Sequence, residues 1–174
     1  MKSLPAVLVL LLAACQSNAV VHEASLASTT PTSAPISGPL VVVGGGGTTD
    51  EIIQKALALA GGPGARMLVV AQASSDPNAG AESKTFWMEH GATNVGVLDA
   101  TDPEGARAAI EQAAFLWMPG GDQSRLMETL DKAGLVDAIR KRHRAGAVVG
   151  GTSAGAAVIS EVMLIGGDKA DLKS

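Results

Sequence analysis

A short, uninterrupted apolar run, too brief for a helix and closed by glycine or proline, recurs along this chain with helically spaced segments between its copies. That alternation constrains the fold most, because strands separated by helices pair in parallel and bury both faces under those helices. Leu40-Val41-Val42-Val43 runs into Gly44 to Gly47, the pattern of a buried parallel strand entering a tight turn. Thr48 and Thr49 are placed to cap a helix whose apolar positions Ile52, Ile53, Ala56, Leu57, Leu59 and Ala60 share one side, before Gly61-Gly62-Pro63-Gly64 ends it. Further strands are predicted at Met67 to Ala71, Thr93 to Leu98, Ala114 to Met118 and Ala147 to Val149. Helices are predicted over residues 80 to 90 with Phe86 on the apolar face, and at Glu104 to Gln112, Gln123 to Ala133 and Leu135 to Arg144. The expected architecture is α/β, a doubly wound and mostly parallel sheet that gathers its ligands at the C-terminal ends of the strands. No internal repeat is present beyond this βα unit.

Composition narrows the function. A formal charge of -4, with Lys and Arg scattered, leaves no electrostatic footprint for nucleic acid or for an anionic membrane surface. A single cysteine, Cys15, excludes an internal disulfide framework and a Cys-rich metal site. Its position supplies another reading. Met1-Lys2 followed by the apolar run Leu4 to Leu12 is the pattern of a signal peptide, too short for a stable membrane span. Leu12-Ala13-Ala14-Cys15 resembles the bacterial lipoprotein box, in which the cysteine becomes the lipidated first residue of the mature chain. Residues 1 to 15 are therefore expected to direct export and lipid anchoring to the cell envelope, or secretion if the cysteine merely stands beside an ordinary cleavage site. Residues 16 to 37, rich in Ser, Thr, Ala and Pro, read as a flexible tether holding a solvated His22, and residues 38 to 174 as a single α/β domain.

Chemistry concentrates where the last predicted strand ends. Gly151-Thr152-Ser153-Ala154-Gly155 fits G-x-S-x-G between an apolar strand and the small residues Ala156-Ala157-Val158, which is a nucleophile elbow projecting the Ser153 hydroxyl. The Ala154 N–H then lies where it can bind an oxyanion. The plainer alternative is a glycine-rich turn whose serine caps the helix. A second loop, Pro119-Gly120-Gly121-Asp122-Gln123, leaves the preceding strand, and its glycines let backbone N–H groups approach a ligand, Gly121 offering a second oxyanion donor. The Gln123 amide both donates and accepts, which suits a peptide backbone; the alternative is an ordinary polar residue in a helix's first turn.

Together, Gly120-Gly121-Asp122-Gln123 with Arg125-Leu126 and Gly151-Thr152-Ser153-Ala154-Gly155-Ala156-Ala157-Val158 resemble the cyanophycinase and aspartyl dipeptidase (peptidase E) family of serine peptidases. Val43-Gly44-Gly45-Gly46 and Ala71-Gln72-Ala73-Ser74 extend the resemblance, colinear over about residues 39 to 167. It implies a fold like that of class I glutamine amidotransferases, a flavodoxin-like three-layer arrangement, and acyl transfer through Ser153. Gly121 and Ala154 would be oxyanion donors, and Gln123 with the neighbouring Asp122 would contact substrate. The substrates implied are aspartyl-containing peptides; in cyanophycinase the substrate is multi-arginyl-polyaspartate, released as β-Asp-Arg. No metal or organic cofactor is implied, and a homodimer is compatible with the pattern.

The pattern breaks at the base. The family's histidine follows its serine, whereas His22, His90 and His143 all precede Ser153. His143, in the basic run Lys141-Arg142-His143-Arg144, reads chiefly as a solvated residue at a helix C-terminus. The family's acid falls after the nucleophile, where Asp171 and Asp168 stand, either of which can equally be a solvated residue near a chain end. The chain therefore reads as the N-terminal, C-terminally truncated part of such an enzyme, expected to expose an unpaired sheet edge. Alternatives are a non-catalytic binding module on the same fold and a glutamine-handling amidotransferase, disfavoured by serine where those enzymes place cysteine. A flavodoxin-like phosphate cradle at Gly44 to Gly47 lacks the Lys-Ser/Thr ending of a P-loop, and that run reads better as a turn brought near the active-site loops.

Overall fold

The computed structural model describes residues 37–164. Strands β1 (Leu40–Val43), β2 (Met67–Val69), β3 (Val95–Val97), β4 (Phe115–Met118) and β5 (Val148–Thr152) form one parallel sheet in the order β1-β5-β4-β2-β3. Six helices connect or follow them: α1 (Asp50–Leu59), α2 (Ala79–Glu89), α3 (Pro103–Gln112), α4 (Gln123–Lys132), α5 (Val136–Arg144) and α6 (Ala154–Ala157). The chain steps outward from β1 to β2 to β3, then turns back through β4 to β5. Crossovers of one hand place helices on opposite faces when the direction of travel reverses. Accordingly, α1 and α2 cover one face and α3, α4 and α5 the other, which makes three layers.

Strand periodicity divides the core accordingly. Phe115 and Trp117 of β4 point to one side and pack with Ile53, Leu57 and Trp87, while Leu116 and Met118 point to the other and pack with Ile110, Leu126, Leu130 and Leu135. The first cluster centres on Trp87, fully buried and edge-on to both Phe115 and Trp117 at ring-centroid distances of 5.2 and 5.0 Å. Here the structure adds to the sequence reading of α2: Phe86 does pack, partly buried, against this cluster, and Trp87 beside it takes the fully buried position. Two adjacent aromatics on a weakly periodic helix leave that choice to the strand residues opposite.

Two expectations are corrected. Thr49 does stand at the N-cap of α1, yet its side chain makes no capping hydrogen bond. β1 is not the buried strand expected: among the described residues it pairs with β5 alone, and Leu40 is 51% and Val42 62% exposed. An apolar run signals burial of both faces, but the number of neighbours beside a strand is a property of topology. The fold as a whole places the C-terminal ends of β1, β5 and β4 side by side.

Because the Trp87 indole is fully buried edge-on against Phe115 and Trp117, Trp87→Ala is expected to lower unfolding stability by about 3–5 kcal/mol, read from urea denaturation.

Candidate active site

At the end of β5 the backbone makes an abrupt change. Ser153 adopts φ 52° and ψ -116°, the sole positive φ at a non-glycine among the described residues. A side chain there costs about 1–3 kcal/mol and persists only when its surroundings impose it. The surroundings are visible. The Ser153 N–H donates to the Val43 carbonyl at 3.1 Å, and the Thr152 hydroxyl donates to the Gly44 carbonyl at 3.0 Å, so the end of β1 grips both residues. Ser153 makes no side-chain capping bond to α6, which removes the plainer alternative of a serine spent on its helix.

The flanking glycines are required by contact. A Cβ on Gly155 would fall on the Met118 carbonyl, and one on Gly151 on the Gly155 backbone, so α6 leaves the sheet as closely as two main chains permit. That approach turns the exposed Ser153 side chain out over the ends of β5 and β4. Beside it, Gly120 packs close enough that a Cβ there would lie 3.4 Å from the Ser153 Cβ. Gly121 has φ 141° and abuts the Ala73 carbonyl, which also accepts the Asp122 N–H at 2.9 Å. The glycine loop after β4 is thereby clamped between the loop after β2 and the elbow.

Among the described residues, neither the Ala154 nor the Gly121 N–H donates to an acceptor within the chain. Gln123 lines the same cleft as Ser153, with Gly44, Gly45, Ala154 and Ala157, and its Nε2 donates to the Leu164 carbonyl at 2.8 Å. The Gly44 to Gly47 turn is thus brought against the elbow. Asp122 sits differently from its neighbour: its Oδ1 accepts from the Ser124 and Arg125 N–H groups at 2.8 and 3.0 Å and caps α4. The Arg125 amide bond, assisted by the Ser124 amide and the Arg125 charge, holds the Asp122 carboxyl below its ordinary range.

The other candidates are not in this cleft. His143 precedes β5, and its Nδ1 lies 3.2 Å from the Ala147 carbonyl, whereas Ser153 follows β5. The five residues of β5 lie between Ala147 and Ser153 and separate the two sites by roughly 20 Å, so His143 is not the base. His90 engages the Phe86 carbonyl through Nδ1 at 2.7 Å and approaches Asp50 at 3.6 Å, in no contact with Ser153. No titratable side chain lines the Ser153 cleft among the described residues. Asp168, Asp171, Cys15 and His22 lie outside the described residues. Sequence reading missed Thr152, whose hydroxyl ties the elbow to β1; a polar residue between a glycine and the serine was its only signal.

A strained serine between strand and helix, at the C-terminal edge of a parallel sheet, defines an α/β protein of the nucleophile-elbow type. A family model described as peptidase family S51 matches residues 40–171. The cyanophycinase of Geminocystis herdmanii is 35% identical over 128 residues, covering 70% of this chain and 47% of its own length. That of Trichormus variabilis is 34% identical over 124 residues, covering 67% and 42%. The chain thus spans about half the length of the curated relatives it matches. A peptidase from an acI-B1 actinobacterium shares the fold with a TM-score of 0.55 at 24% identity, over 73% of this chain and 58% of that one. A Listeria monocytogenes protein described as a peptidase E candidate does so with 0.54 at 19% identity, over 71% and 62%. The chain belongs to peptidase family S51.

Two outcomes follow from this geometry. Glycine tolerates the Ser153 dihedrals at a cost of about 0.5–1 kcal/mol in unfolded-state entropy. Ser153→Gly is therefore expected to exceed Ser153→Ala in stability by about 1–2 kcal/mol in denaturant titrations. Asp122 has a folded pKa below its unfolded one, so its contribution is complete above the unfolded carboxylate pKa and lost as pH falls through the folded value. Asp122→Ala is expected to lower the thermal midpoint at neutral pH, with the gap from the parent protein closing in strong acid.

Proposed function

We propose that Ser153 is the nucleophile of a serine-type peptidase that cleaves aspartyl-containing peptides, multi-arginyl-polyaspartate being the polymer to test first. The observation that carries this reading is the Ser153 backbone at φ 52° and ψ -116°, a strain that a structural serine has no reason to bear. In the proposed reaction the Ser153 oxygen attacks a peptide carbonyl, its proton passing to a general base. The resulting oxyanion is held by the Gly121 and Ala154 N–H groups, and the leaving amine departs with a proton to give an acyl-enzyme that water hydrolyses. Gln123 donates to a substrate main-chain carbonyl, the kind of acceptor that its amide meets at Leu164. Asp122 acts through α4, whose first turn presents Gln123, rather than as a direct contact. Asp171 or Asp168 would orient the base. Among the described residues no base lines the cleft, so turnover is proposed for a polypeptide that supplies one.

A second reading rests on that same lining: a pocket without a titratable neighbour suits a binding module that holds aspartyl peptides without cleaving them. The longest polypeptide encoded by the reading frame distinguishes the two when assayed for release of β-Asp-Arg. Release that falls about 10⁴-fold or more in Ser153→Ala supports the peptidase. A protein that binds the polymer and releases nothing supports the module. We further propose export and lipid anchoring through Cys15. Metabolic labelling with a palmitate analogue is expected to mark the parent protein and not Cys15→Ser, and equal labelling of both would contradict it.

A further inference from the structure

The pattern G-x-S-x-G leaves the residue before the serine open, and in this chain that residue is Thr152. Its hydroxyl donates to the Gly44 carbonyl at 3.0 Å, a bond between residues 108 positions apart. Thr152 also closes the pairing of β5 with β1, opposite Val43, and the Val43 carbonyl accepts the Ser153 N–H at 3.1 Å. Two successive elbow residues are thus fastened to two successive carbonyls at the end of β1. The Ser153 fastening is main chain and survives any substitution short of proline. The Thr152 fastening belongs to a side chain, one whose β-branching stiffens χ1 and so keeps the hydroxyl in place.

The strain at Ser153 gives that hydroxyl its importance. A side chain at φ 52° and ψ -116° reverts to an ordinary region unless its neighbours forbid it, and the bond to Gly44 is the restraint next to it in the chain. Gly44 also lines the cleft with Ser153, so the same bond sets the glycine turn and the serine at a fixed spacing. A threonine that merely satisfies its own hydroxyl adds the same stability whatever residue follows it. A threonine that holds a strained serine behaves differently. Removing its hydroxyl loses a hydrogen bond but lets Ser153 relax, and the relaxation recovers part of the loss.

We infer that Thr152 is a positioning residue for the nucleophile: its hydroxyl, anchored on Gly44, holds the Ser153 backbone in the strained conformation that presents Oγ to the cleft. The catalytic part of this inference rests on the peptidase reading above, and its structural part on the Ser153 dihedrals alone. Thr152 acts through Ser153 and touches no reacting atom itself.

Two substitutions separate shape from hydrogen bonding: Thr152→Val keeps the branched side chain and removes the donor, and Thr152→Ser keeps the donor. Thermal midpoints of the purified chain test the structural part. Thr152→Val is expected to lower the midpoint by about 2–4 °C less in the parent protein than in a Ser153→Gly background, where glycine has no strain to release. Equal shifts in the two backgrounds would overturn the inference. Turnover by the longest polypeptide that the reading frame encodes tests the catalytic part. There kcat for β-Asp-Arg release is expected to fall about ten-fold in Thr152→Val with KM unchanged, and to stay within about three-fold of the parent in Thr152→Ser. A loss confined to KM, an unchanged kcat in Thr152→Val, or a Thr152→Ser as slow as Thr152→Val would likewise overturn it. A parent polypeptide that releases nothing contradicts the peptidase reading, and the thermal comparison then decides by itself whether Thr152 holds the Ser153 backbone.

Discussion

The close passage of two main chains at the end of β5 is the constraint from which the site follows. Gly155 rests against the Met118 carbonyl and Gly151 against Gly155 itself, so α6 begins before the strand has cleared its neighbour. A chain that reverses so tightly cannot place Ser153 in an ordinary region of backbone space, and the hydrogen bonds from Ser153 and Thr152 to β1 hold it there. Strain, exposure and position at the strand ends are thus one fact viewed three ways. A larger residue at either glycine would relax all three together.

The parallel sheet turns that local constraint into a cleft. Reversal of the chain between β3 and β4 sends the helices after β1 and β5 to opposite faces, which opens a crevice between neighbouring strand ends. The glycine turn after β1, the elbow after β5 and the glycine loop after β4 meet at that crevice. None is distinctive alone. Their convergence depends on the order β1-β5-β4, which brings together segments separated by more than a hundred residues in sequence, as the Thr152 to Gly44 bond illustrates.

Much of this was legible from the sequence because the signals were local. All five strands fall within the predicted runs or within a few residues of them, for apolar runs closed by glycine are short-range patterns. The elbow serine also obeys a rule that spans five residues. What escaped was set by neighbours distant in sequence. β1 looked buried because its residues are apolar, but among the described residues only one strand lies beside it. Phe86 and Trp87 could not be ranked until Phe115 and Trp117 were placed across from them. His143 is only ten residues from Ser153, but a strand carries the chain from one end of the sheet to the other between them.

Covalent trapping tests Ser153 as a nucleophile most directly. The purified polypeptide would be treated with a fluorophosphonate, or quenched during turnover of an activated aspartyl ester, and digested for peptide mass mapping. A single adduct on the peptide containing Ser153, absent from Ser153→Ala, is the predicted result. An adduct on another residue, or hydrolysis that proceeds unchanged in Ser153→Ala, would contradict it.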